Sequence, residues 1–147
     1  MIHVEFETTI HRPIENVFNQ LVDIDAYPDW LPKSRVFLSC NRTSDGPEQA
    51  GTTFIDKTRV GTYRGIITDF QKPVKVDFRM RLHRFGVRMM ESRPGYRLQS
   101  VDGGTTLFHT AEGELFGIFK LLEPYIALRA REERIRTVRT LKTSLEK

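Results

Sequence analysis

Apolar and polar residues alternate with a period of two along most of this chain, and the period turns helical near both ends. Val4 and Phe6 alternate with Glu5 and Glu7, and β-branched residues carry on to Ile10, which predicts a strand. Pro13 suits the first turn of a helix, where its missing N–H costs nothing. Ile14, Val17, Phe18 and Leu21 then recur at helical spacing and predict one buried face. A short helical segment over residues 24–30 is broken around Pro28 and Pro32. Strand-like runs follow at residues 35–40, 52–59 and 63–70, the last two flanking Gly61 as in a hairpin. Residues 74–83 alternate most cleanly. Val74, Val76, Phe78, Met80 and Leu82 share one face; Lys75, Asp77, Arg79, Arg81 and His83 share the other. That pattern predicts a half-buried antiparallel strand with an exposed, basic outer surface. After a turn at residues 84–86 comes a long strand, residues 87–100, with a bulge expected at Pro94–Gly95. Asp102, Gly103 and Gly104 make a strong hairpin turn before the last strand, residues 105–115.

From Gly117 the pattern changes. Ile118, Phe119, Leu121 and Leu122 form an apolar patch. Tyr125, Leu128, Ile135, Val138, Leu141 and Leu145 then recur at spacings near three, four and seven. This predicts a long amphipathic helix with Pro124 in its first turn and Arg129, Arg131, Arg134, Arg136 and Arg139 on its polar face. The order is strand, two short helices, six strands, long helix: an α+β layout. Sheet and long helix each have one apolar face, and each is the obvious cover for the other. With 147 residues, no repeat and no linker, one domain over residues 1–147 is expected. The likeliest long loop spans residues 41–50.

Composition narrows the classes. No apolar run approaches the roughly 20 residues of a membrane helix. The start lacks a basic region followed by an apolar one, so a cytoplasmic protein is expected. Cys40 is the only cysteine, which rules out an intramolecular disulfide and a cysteine metal cluster. Charge is uneven. Residues 1–30 carry a net −5, residues 59–97 a net +7 and residues 128–147 a net +4. Basic stretches attract phosphate or anionic lipid; the plainer reading is a solvated face.

Four segments together resemble the START-like, Bet v 1-like helix-grip superfamily, and within it the polyketide cyclase/dehydrase (SRPBCC) group. They are IHRPIENVFNQLV at residues 10–22, DIDAYPDWLP at residues 23–32, the Gly-Thr strand opening at residues 50–54, and GGTTL at residues 103–107 with the helix ending LKTSLEK. The resemblance implies a seven-stranded antiparallel sheet curved around the C-terminal helix, with an apolar cavity between them. It implies no single reaction, since the superfamily holds carriers, cyclases and hydrolases.

No phosphate loop, nucleophile elbow or metal-helix motif is present, and His3, His11, His83 and His109 are scattered. Neither a metal nor a cofactor is expected. His109 shares a strand face with Leu107 and Ala111 and is expected at the cavity wall. There it serves as a ligand anchor, as a general acid or base with Glu91, Tyr96 or Asp56 as partner, or as a hydrogen-bonded core histidine. In the resembled fold the segment of Tyr27 and Trp30 closes one end of the cavity; the alternative is core packing under the sheet. Phe54, Phe78, Met80, Tyr96, Leu98, Phe119, Leu122 and Tyr125 are its expected lining, or else a solid core. Met80, Met89 and Met90 favour an irregular pocket.

The expected function is binding of a small hydrophobic or amphipathic molecule, such as a lipid, isoprenoid or polyketide. The enzyme alternative is a cyclase or dehydrase. A third reading is a module whose basic residues touch an anionic membrane or acidic protein, and a homodimer is left open. Specific nucleic-acid binding is not expected, because Phe78 lies on the face opposite the arginines.

Overall fold

The alternating segments become seven strands: β1 (Ile2–Ile10), β2 (Phe37–Arg42), β3 (Thr53–Thr58), β4 (Gly61–Gln71), β5 (Lys75–Arg84), β6 (Val87–Val101) and β7 (Gly104–Leu115). The structure is a computed structural model describing residues 1–34 and 36–147. Residue 35, the expected start of the second strand, lies outside the described residues. All neighbouring strands pair antiparallel, in the order β1-β7-β6-β5-β4-β3-β2. The chain therefore meanders from β2 to β7, and β1 adds to the far side of β7.

Three helices cover the inner face: α1 (Ile14–Val22), α2 (Tyr27–Trp30) and α3 (Glu123–Leu145), with 3-10 turns at Ile24–Ala26 and Gly117–Leu122. In α1, Ile14, Val17, Phe18, Leu21 and Val22 are buried, the face its periodicity predicts. The segment after α2 is tied to α3. The Ser34 hydroxyl donates to Glu133 at 2.8 Å, and Arg136 donates to the Pro32 carbonyl.

Strand parity holds on β5. Val76, Phe78 and Leu82 are buried, while Arg81 and His83 are exposed and Arg79 is half-exposed. Val74 precedes the strand and is 45% exposed, so the inner row begins one residue pair later than expected.

The expected bulge at Pro94–Gly95 is corrected. β6 passes Pro94 in constant register with β7, and on its other side Asp77 faces Gly95 and Met80 faces Ser92 without a shift. The irregularity lies instead at Leu82/His83, where Leu82 faces Met90 but His83 faces Arg88. The extra residue turns both Met89 and Met90 inward, and both are buried.

The helix stripe is also corrected. Val138 and Leu141 are fully buried, but Tyr125 and Leu128 are 61% and 56% exposed. Near its start α3 turns Ile126 and Ala130 toward the sheet, with Ala127 packed beside them. These small side chains hold the helix over a space they do not fill.

Candidate functional site

Two voids separate α3 from the sheet, one of about 250 Å³ and one of about 50 Å³. Leu31, Phe37, Asp56, Met80, Arg134 and Thr137 line both, so the two adjoin. The larger is walled by Val4, Leu82, Met89, Met90 and Ala111 from the sheet and by Ile126 and Ala130 from the helix. The smaller lies beneath Phe54, Phe78 and Tyr96, whose rings meet edge to face at 5.8 and 6.2 Å. Phe54 can lie across β4 only because position 65 is glycine. A Cβ on Gly65 would fall 2.2 Å from the Phe54 ring.

A polar pole interrupts this apolar lining. Asp56 on β3 faces Cys40 on β2 and Tyr63 on β4, and none of these neighbours is a cation. Its Oδ1 is sealed from solvent without a hydrogen-bond partner among the described residues. Burial pushes the carboxyl up to about 7; the Arg134 guanidinium opposes the rise and the Glu133 carboxylate adds to it. Burial likewise raises the Tyr63 phenol to about 12, helped by Asp56 and opposed by Arg134. The Tyr27 and Tyr96 phenols are raised chiefly by burial, and so is the Cys40 thiol, so all three stay protonated.

Arg134 points into the voids from α3, whereas the sequence reading set it on the helix's polar face. Among the described residues its side chain makes no hydrogen bond or ion pair. Glu133 beside it accepts from Ser34 and lies 3.5 Å from Arg136, so it is already engaged. The pole thus holds one guanidinium with no carboxylate partner among the described residues and one carboxyl poised near neutrality. It can donate to an oxygen acceptor of a ligand from both.

His109 is 1% exposed and lines neither void. It stands behind Tyr96, ring stacked on ring at 4.3 Å, and its Nδ1 lies 2.9 Å from the Gly95 carbonyl. A carbonyl only accepts, so Nδ1 carries the proton. Nε2 is sealed without a partner among the described residues. Burial lowers the imidazole to about 3, and Arg134 adds to the fall, so the ring is neutral at physiological pH. Of the partners weighed for it, Tyr96 is adjacent. Glu91 projects from the opposite face, and Asp56 stands across the voids on β3.

The other expected residues divide. Phe54, Phe78, Tyr96 and Tyr27 surround the smaller void, Met80 both, and Tyr125 rims the larger. Trp30 packs on Tyr27 at 4.9 Å but lines neither, while the Tyr27 hydroxyl donates to the Leu21 carbonyl at 2.6 Å. Leu98 is core, Phe119 packs half-buried against the Ile2–Leu115 cluster, and Leu122 is 46% exposed. Sequence reasoning missed Ile126, Ala130, Arg134 and Thr137. The signal was a line of small residues, Ala127, Ala130 and Thr137, running beside Arg134 at helical spacing.

A model of the family described as polyketide cyclase/dehydrase and lipid transport matches residues 1–146. No curated protein matches the chain in sequence. Among solved structures, the hypothetical protein jhp0584 from Helicobacter pylori aligns with a TM-score of 0.78 at 12% identity, covering 97% of this chain and 87% of that one. A START superfamily protein from Mycobacterium smegmatis aligns at 0.73 and 14%, covering 99% and 98%. Ara h 8.0201 aligns at 0.72 and 15%, covering 97% and 96%. At these identities the likeness establishes a common fold.

Proposed function

The chain belongs to the polyketide cyclase/dehydrase and lipid transport family, and on that premise we propose that it binds one small amphipathic molecule between α3 and the sheet. The observation that carries this reading is a mainly apolar void of about 250 Å³ with a buried polar pole at Asp56 and Arg134. Ligand pockets usually measure roughly 300–1,000 Å³, so the ligand is small: a short acyl chain or a compact ring system. Its apolar body would sit against Met80, Leu82, Met89 and Met90. Burial there contributes about 25 cal/mol per Å² of apolar surface. Its oxygen-bearing end would face Arg134 and the protonated Asp56, with Tyr63 beside them. Tyr96, Phe54 and Phe78 wall the smaller void on the other side of that pole, and His109 would hold Tyr96 in place.

A cyclase or dehydrase is the second reading, and one observation favours it. A carboxyl near 7 can give and take a proton at physiological pH, and Asp56 is such a group inside the cavity. His109, neutral and sealed behind Tyr96, suits packing better than proton transfer.

Native mass spectrometry of the protein purified from its own host tests the first reading, paired with uptake of anilinonaphthalene sulfonate. A retained small molecule is expected, as is dye binding that Ala130→Trp abolishes by filling the void. Absence of both would overturn the reading. Turnover of the retained molecule that Asp56→Asn abolishes would establish the second.

A further inference from the structure

We propose that the end of the molecule carrying Val60, Phe85 and the Gly117–Leu122 turn docks on an anionic lipid bilayer. Three segments meet there. Arg84 at the end of β5 donates to the Val60 carbonyl in the β3–β4 turn at 2.6 Å. Arg88 lies over the Phe116 ring at 4.1 Å, joining the β5–β6 hairpin to the chain that leads into α3. Val60 and Tyr125 both line the larger void and are 40% and 61% exposed, so they stand at its mouth.

This end gathers apolar surface that the fold does not cover. Eight of the twelve exposed large apolar side chains among the described residues lie here. Ile118, Leu121, Leu122, Tyr125 and Leu128 form one outward stripe at helical spacing, up to 84% exposed. It is the stripe whose spacing reads as core in the sequence. Phe85 is 89% exposed on the hairpin tip and has a φ of 55°. Such left-handed turn positions favour Asn or Gly and disfavour bulky residues. A phenylalanine there serves no packing within the fold; at a bilayer its ring enters the interface.

The charge fits one occupant. Arg59, Arg84 and Lys120 on these segments meet no carboxylate among the described residues, Arg59 and Arg84 donating only to backbone carbonyls, while Arg88 and Arg129 beside them are paired with Glu91 and Glu132. The carboxylates nearby are engaged, Glu123 with the Met1 ammonium at 3.1 Å and Glu132 with Arg129 at 3.3 Å. Apolar tips on separate turns, interleaved with cations, match an interfacial lipid anchor better than a protein groove. Docking stands apart from the ligand reading; what rests on that reading is that a docked molecule holds the void's mouth at the lipid surface.

Flotation of the full chain tests this with vesicles of phosphatidylglycerol and phosphatidylcholine in equal parts, beside vesicles of phosphatidylcholine alone. Binding to the anionic vesicles is expected, weakening as salt is raised. Phe85→Asn and Leu121→Asp should each weaken it roughly tenfold. Phe85→Asn relieves the turn, so misfolding cannot explain its loss. Ala130→Trp should float like the parent although it takes up no dye, which separates failure of docking from failure of the ligand reading. Three results would overturn the proposal: no flotation, equal binding to both vesicles, or a patch that Leu121→Asp converts from dimer to monomer without any lipid binding.

Discussion

Glu91 and Asp56 are both carboxylates of one sheet, both withdrawn from solvent, and their proton affinities move in opposite directions. Glu91 projects from the outer face. The register sets Arg81 opposite it, with Nε 2.8 Å away; Arg88 reaches it at 3.1 Å and Arg93 also pairs with it. Hydrogen bonding from Arg81 outweighs burial and holds its carboxyl below the usual value. Asp56 projects from the inner face, where its cross-strand neighbours are a thiol and a phenol, and burial wins. The sheet thus pairs this outer carboxylate from its own strands. Inside, α3 supplies Arg134, which has no carboxylate partner among the described residues, besides Arg129, which is paired with Glu132. Five of the ten bases over residues 59–97 are ion-paired on this outer surface, Arg81, Arg88 and Arg93 with Glu91, Lys75 with Asp69, and Arg97 with Asp77 at 2.7 Å.

The largest break in this comparison should come from Glu91→Gln. It removes the negative charge and one of the two acceptor oxygens that three arginines share, and the loss should be about 1–3 kcal/mol by urea denaturation at neutral pH, moderated because the arginines remain partly solvated. Because folding lowers the Glu91 pKa, its contribution is present above the ordinary value and is lost as pH falls through the lowered one. The variant should therefore show a flatter acid limb.

Asp56→Asn should do the reverse. Folding raises that pKa from 3.8 to about 7, so the native state holds a proton the unfolded chain has lost, and stability falls as pH rises across that window. The substitution should remove the fall and gain on the order of 1–2 kcal/mol at pH about 8, read as a higher thermal midpoint. An unchanged pH profile would mean the carboxyl is solvated.

His109 sharpens the same measurement from the other side. Its pKa is depressed from 6.5 to about 3, so stability is lost as pH falls below 6.5. Between pH 4 and 6.5 the two slopes oppose each other in the parent protein. Asp56→Asn should unmask stability that rises with pH, and His109→Gln stability that falls. The smallest effect is His109→Phe at neutral pH. It gives up one hydrogen bond to Gly95, about 0.5–1.5 kcal/mol, and regains apolar contact, so the midpoint should stay within a few degrees.

Parity explains what could be read from the residues alone. Alternation on β5 sorted Val76, Phe78 and Leu82 from Lys75, Arg79 and Arg81, because a strand has only two faces. Parity also placed His109 inward with Leu107. It could not reveal that Tyr96 stands between His109 and the void, since stacking order depends on cross-strand register. The bulge at Leu82/His83 was hidden because no glycine or proline marks it, and without it Met89 would point outward. On α3 the large apolar residues drew attention to Tyr125 and Leu128. The line that faces the void runs through half-buried Ala130 and buried Thr137, whose size is what leaves room for a ligand, and Arg134 was masked among five arginines.

The placement of β1 beside β7 has a consequence for assembly of the chain. β1 is translated first, yet the residues that Ile2 and Ile10 face are Gly113 and Thr105, about a hundred positions later. Every other strand finds its partner next to it in sequence. Local hairpins form in microseconds, whereas long-range pairing waits on closure of a large loop. During synthesis the meander from β2 to β7 can zip as it emerges, while β1 waits with Ile2, Val4 and Ile10 uncovered. Until it docks, β7 presents an unpaired edge of twelve residues, an open template for a neighbouring chain.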